Sequence, residues 1–272
     1  MGMPHPWCRE MPDAVLHLLQ AFALPLGLNA SQVWATRFIG AWRGAPGPSL
    51  FSTDLEKRQV SYLKWVLGVK RGASHFATFW ETGQMPLQFY WLRSCVRFWN
   101  SMLGSDNPLL QGVLRADLRM SSNHPEFWCA QLMRALPDGM SEAMSQADCK
   151  KIEVGVVARA WRAWFAESLS QHMVDPRQEL VGPSFRKMRA FACYFMQRET
   201  AALEGKKPPP MPRYLCAKLL LVGAQVRSMA RFRLSSHNLM VERGRYNGTA
   251  FQQRLCPWCS EQGCMQVQDE PH

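Results

Sequence analysis

The sequence predicts a mostly α-helical protein, an irregular multi-helix array that ends in a small cysteine-bearing segment. Two observations predict it. Apolar residues recur at three- and four-residue spacing in one window after another, and the long windows lack the strict alternation of strands. Between the windows lie clusters of Gly and Pro, which break helices because Gly frees the backbone and Pro removes a donor. With 47% hydrophobic residues, 11 Trp and 14 Phe in 272 residues, the chain has enough apolar mass for a sizeable core.

Residues 11–24 place Val15, Leu16, Leu18, Leu19 and Phe22 at helical spacing, and residues 28–39 follow with Val33, Trp34 and Phe38. The stretch from Gly40 to Ser49, with Gly44, Pro46, Gly47 and Pro48, reads as a loop. A helix then runs through Leu55, Gln59, Tyr62, Leu63, Val66 and Leu67 and stops at Gly68. Thr53 with Glu56 three residues later fits a capping box, in which each side chain satisfies a backbone donor left orphaned at the helix start. Further helices are expected over 73–81, 87–103 and several shorter stretches to Leu136. Two long ones follow, Lys150 to His172 and Ser184 to Leu203, the first with Ile152, Val156, Ala160, Trp164 and Leu169 on one face. Residues 204–213 hold three consecutive prolines and read as an extended linker. Beyond it, a helix is expected over about 214–234, before the chain turns polar. The expected division is a helical remnant and loop at 1–50, a helical body at 51–203, the linker, and a basic C-terminal part at 214–272.

The net charge is +11, and a surplus of that size favours a polyanionic partner such as nucleic acid. Nine scattered cysteines, an odd number, do not make a disulfide framework. The apolar run Ala14 to Leu28 contains His17, Gln20 and Pro25, so it is too short and polar to span a membrane and is a poor secretion signal. The chain is therefore expected in the nucleus or cytoplasm, not secreted and without a membrane partner.

Enzyme signatures are missing from the sequence. A two-metal polymerase needs paired acidic residues, and the chain has no Asp-Asp pair. Neither a P-loop, a G-x-S-x-G elbow nor H-E-x-x-H is present, and the seven His occur singly. The expectation is a chain without catalytic residues.

Chemistry concentrates at the C-terminal end. Cys256-Pro-Trp-Cys259 can bring two thiolates to one ion from a tight turn, and Zn²⁺ takes S and N ligands tetrahedrally. His272 is the candidate third ligand. The fourth is either Cys264, which would complete a three-Cys, one-His site, or a residue beyond position 272, in which case the zinc-binding segment is incomplete. Upstream, Arg227, Arg231, Arg233, Arg243, Arg245 and Arg254 interleave with Tyr246. Arginine forks grip phosphates and a tyrosine ring stacks on a base, so these seven are the candidate nucleic-acid contacts. Lys57, Arg58, Lys64, Lys70 and Arg71 form a second basic cluster, equally readable as an ordinary amphipathic helix face. Trp91, Trp99, Trp161 and Trp164 fall at apolar helix positions and are expected in the core.

Four stretches together resemble the region downstream of the polymerase in LINE-type, non-LTR retrotransposon reverse transcriptases. They are Leu24-Pro-Leu-Gly-Leu-Asn-Ala-Ser31-Gln-Val-Trp34; Leu55-Glu-Lys-Arg-Gln59 through Tyr62-Leu-Lys-Trp-Val-Leu-Gly68-Val; Glu81-Thr-Gly83-Gln-Met-Pro86-Leu; and Arg231-Phe-Arg-Leu-Ser-Ser-His237-Asn-Leu239 with Glu242-Arg-Gly244-Arg245, Cys256, Cys259 and Asp269-Glu-Pro-His272. Their order and spacing carry the resemblance, while residues 104–212 match only as helices. It implies a non-catalytic fragment that assists a polymerase by gripping template RNA or target DNA, with a separate reverse transcriptase as a further partner. Cys256, Cys259 and His272 match the family's zinc ligands. The alternative is a co-opted helical module that binds another protein through an aromatic surface.

Overall fold

A computed structural model gives the tertiary structure, described for residues 12–40, 50–137, 139–144, 149–173, 215, 223–234, 236, 239, 243–244, 247–263, 265 and 267. The expected helix at 184–203 and the linker at 204–213 lie outside these residues. The fold is mostly helical. The helices are α1 (Pro12–Leu18), α2 (Leu24–Leu28), α3 (Ser31–Trp34), α4 (Asp54–Leu67), α5 (His75–Thr82), α6 (Leu87–Leu103), α7 (Pro108–Met120), α8 (Trp128–Ala135), α9 (Val154–Met173), α10 (Gly223–Arg233) and α11 (Pro257–Glu261).

Local chemistry sets several of these bounds. Between α1 and α2 the chain stays helical through a π turn, Leu19–Ala23, where the Leu24 N–H reaches back to the Leu19 carbonyl. Pro25 follows at once; it has no N–H to give to Ala21, and its ring would crowd that carbonyl, so widening the turn relieves the clash. The capping box forms as expected. The Glu56 N–H donates to Thr53 Oγ1 (3.2 Å), and Glu56 Oε2 accepts from the Thr53 N–H (3.1 Å). The Phe51 N–H also donates to Glu56 Oε1, so this fully buried carboxylate is satisfied by the backbone it caps. Ser74 caps α5 through the Ala77 N–H, and Asn107 caps α7 with Pro108 in its first turn.

The chain divides into two compact units that interleave along the sequence. One comprises residues 18–60 and 85–168. Its core is organised on α6, which buries Phe89, Trp91, Leu92, Cys95, Val96 and Trp99. Trp34 meets Trp91 edge-on at 5.5 Å, and Trp161 of α9 meets Phe89 edge-on at 5.5 Å. Two indole N–H groups are bonded: Trp99 Nε1 donates to the Lys150 carbonyl, and Trp128 Nε1 donates to that of Gln32. Asn100 clamps Ile152, donating to its carbonyl (2.7 Å) and accepting from its N–H (2.8 Å). Gln59 does the same for the turn before α6, donating to the Met85 carbonyl and accepting from the Leu87 N–H.

Trp91, Trp99 and Trp161 are buried, as expected for core residues, whereas Trp164 is half-buried. The face of α9 is displaced from expectation. Val157, Trp161 and Phe165 point inward, while Val156, Ala160 and Trp164 sit one residue, about 100° of helix, to the side. Both stripes are apolar, so spacing does not choose between them; the contact of Trp161 with Phe89 does.

The second unit comprises residues 1–17, 61–84 and 169–272. Helix α10 and residues 61–84 belong to this same unit. Lys70 N–H donates to buried Ser236 Oγ (3.1 Å), and Arg231 and Arg233 reach the same stretch. Tyr62 Oη donates to the Val15 carbonyl (3.0 Å).

Candidate nucleic-acid interface and metal centre

Helix α10 carries three of the candidate arginines, and each has a structural attachment. Arg227 lies along Gly68, which ends α4 with a φ of +65°. A Cβ built there would stand 2.9 Å from Arg227 Cδ, so the position needs glycine both for its left-handed backbone and for the close approach. One helical turn on, Arg231 Nε donates to the Gly68 carbonyl at 2.7 Å, covering an orphaned acceptor at the end of α4. Arg231 remains exposed, so the rest of its guanidinium faces water.

Arg233 is held differently. It makes a two-pronged ion pair with Glu81, with Nε on Oε1 and Nη2 on Oε2 at 3.0 Å. The Glu81 side chain is fully buried and that of Arg233 is 11% exposed. A charge spent on a buried carboxylate does not steer a phosphate. Glu81 is not among the candidate site residues of the sequence, where it closes the expected 73–81 helix and opens a resembling stretch.

The tail is braced in the same way. Arg254 Nε donates to the Thr249 carbonyl (2.9 Å), and its stem lies over Gly244 so closely that a Cβ would meet Arg254 Cγ at 2.5 Å. Arg243 is exposed. Arg245 and Tyr246 lie outside the described residues. Of the seven candidate contacts, Arg231 and Arg243 thus present exposed charge, while Arg227, Arg233 and Arg254 serve packing.

The candidate zinc ligands divide likewise. Cys256 is the N-cap of α11, and Cys259 falls in its first turn with Pro257 between them. Ser260 N–H donates to the Cys256 carbonyl (2.9 Å), which tightens the turn. Leu255 and Val267 pair in an antiparallel bridge, so the chain doubles back around the Cys-x-x-Cys turn. Cys256 is buried and Cys259 half-buried. Among the described residues no group of three metal-binding side chains converges. Cys264 and His272 lie outside them. Two thiols on one doubled-back turn suit half of a tetrahedral site, and the donor set fits zinc in kind.

Cys95 and Cys129 behave as core residues. Burial pushes the Cys95 thiol up to about 12. Burial, and then the neighbouring Asp117, raise Cys129 further above the ordinary value. His75 is lowered by burial and by the Lys64 charge.

No family model matches the chain, and neither a curated protein nor a solved structure matches it. Among the described residues, no helix is long and apolar enough to cross a membrane.

Proposed function

We propose that the chain is a non-catalytic nucleic-acid-binding part of a retrotransposon reverse-transcriptase polyprotein, assisting engagement of template RNA or target DNA. The observation that carries the reading is the doubled-back Cys256–Cys259 turn, placed after a helix that still offers Arg231 to solvent. Net charge of +11 supports it through counterion release, which favours any polyanion. The resembling stretches also brace one another: Gln59 holds Met85 and Leu87, and Arg233 holds Glu81. Zn²⁺ is the metal that suits the turn, with Cys256 and Cys259 as ligands and Cys264 and His272 as the remaining candidates. The chain would act in the nucleus or cytoplasm.

The co-opted interaction module calls for an aromatic surface; burial of Trp91, Trp99 and Trp161, with Trp164 half-buried, favours the nucleic-acid reading over it.

The test is metal content of the purified chain together with binding to labelled single-stranded RNA across salt. One zinc per chain and steep salt dependence, with a log–log slope of about −0.7 per phosphate contacted, are expected. A slope near zero would remove the nucleic-acid reading, and absence of metal would remove zinc from it.

A further inference from the structure

Three arginines that the sequence did not single out gather on the α6–α9 face of the first unit. Arg93 and Arg97 follow Phe89 on α6 at intervals of four, so the three residues share one stripe. Arg162 comes from α9. The guanidinium carbon of Arg93 lies 5.5 Å from the centre of the Phe89 ring, and that of Arg162 lies 5.4 Å from the same centre. Phe89 is itself buried and fixed edge-on against Trp161, so the platform under both cations is rigid.

Charges of one sign repel, and a fold gathers them without a counter-ion at a cost. Among the described residues no carboxylate pairs with Arg93, Arg97 or Arg162. The buried Nε of Arg93 has no hydrogen-bond acceptor. Burial, then repulsion from Arg97 and Arg162, pull Arg93 below the ordinary arginine value. The Tyr90 hydroxyl sits within the field of Arg93 and Arg162 and is a further donor. Arg97 and Arg162 are exposed, so the cluster opens to solvent. Planar guanidinium forks with unused donors, joined by a phenol, match the several acceptor oxygens of a phosphate.

We infer that Arg93, Arg97, Arg162 and Tyr90 form a phosphate-binding site, and that its occupant is a backbone phosphate of a nucleic-acid strand. The choice of a strand rests on the function proposed above; the anion site rests on the arginine geometry.

The experiment compares the full chain with R97Q/R162Q, whose exposed positions leave the core intact, and with R115Q/R119Q. The latter removes the same charge from exposed positions on α7. Two probes are used, a labelled single-stranded RNA and inorganic pyrophosphate, with circular dichroism melts to establish folding. R97Q/R162Q is expected to weaken RNA binding about a hundredfold, roughly tenfold per charge-assisted contact. It should also flatten the salt slope by about 1.4, and abolish pyrophosphate binding. Equal losses in R115Q/R119Q would overturn the site in favour of general charge. RNA binding that R97Q/R162Q leaves unchanged would overturn the site while the nucleic-acid reading stands. Pyrophosphate binding that depends on Arg97 and Arg162, in a chain that binds no RNA, would overturn the strand and the proposed function and leave the anion site. Binding of neither probe would overturn both.

Discussion

Among the described residues of the second unit, breaking the Arg233–Glu81 pair should be the most damaging single polar change. Glu81 has no exposure to water, and both oxygens are engaged by one guanidinium. Arg233→Ala removes that two-pronged partner from a carboxylate in the interior. Loss of one member of a buried pair costs about 3–5 kcal/mol, because the remaining charge has neither water nor a counter-ion. At a urea dependence of about 2 kcal/mol per molar, the midpoint for the affected unit should fall by roughly 1.5–2.5 M. Hydrogen exchange of peptides from residues 61–84, read by mass spectrometry across a urea series, reports on this unit. The double variant Arg233→Met with Glu81→Leu should recover most of the loss, since apolar groups of similar volume replace a buried pair at little cost. RNA affinity of Arg233→Ala, measured where it is folded, should stay within about twofold, because its charge is already spent. A loss below about 1 kcal/mol, the range of exposed pairs, would refute the argument that this pair is buried and structural.

Other outcomes follow from the same structure. Lys64 is held at about 8 by burial, below its ordinary 10.5, and donates to the Arg71 carbonyl. The unfolded chain therefore binds more protons between those values, so stability should rise with pH through that window. Lys64→Met should flatten the rise, and an unaltered pH profile would count against burial of the amine. At pH 8 the native chain should resist alkylation at Cys95 and Cys129, mapped by mass spectrometry, because their thiols stay protonated and buried. Labelling there faster than global unfolding would contradict this. Gly68→Ala should cost about 1–2 kcal/mol or more, since it places a side chain at positive φ against Arg227. Val113 on α7 is exposed, and Val113→Lys should change stability by no more than about 0.5 kcal/mol in a thermal melt.

Most of the helices, the cap of α4 and much of the core were legible in the sequence because each rests on local chemistry. The Thr53–Glu56 box, the stop at Gly68 and the apolar stripe of α6 need only near neighbours and a repeat of 3.6 residues. So, too, the Cys256–Cys259 turn follows from the reach of two thiols three residues apart. Tertiary structure decided matters that span long stretches of chain. Spacing offered α9 two apolar stripes, and Phe89 selected the one bearing Trp161. Composition supplied a row of arginines on α10, but Glu81, 152 positions away, took Arg233 out of solvent. The same row left Arg231 exposed, bound by one atom to a carbonyl 163 positions away. Arg93 and Arg162, far apart in sequence, meet over one ring because α6 and α9 come together there. A pattern of residues fixes which faces can be buried; the partner on the opposing element fixes which one is, and which charges are left for a ligand.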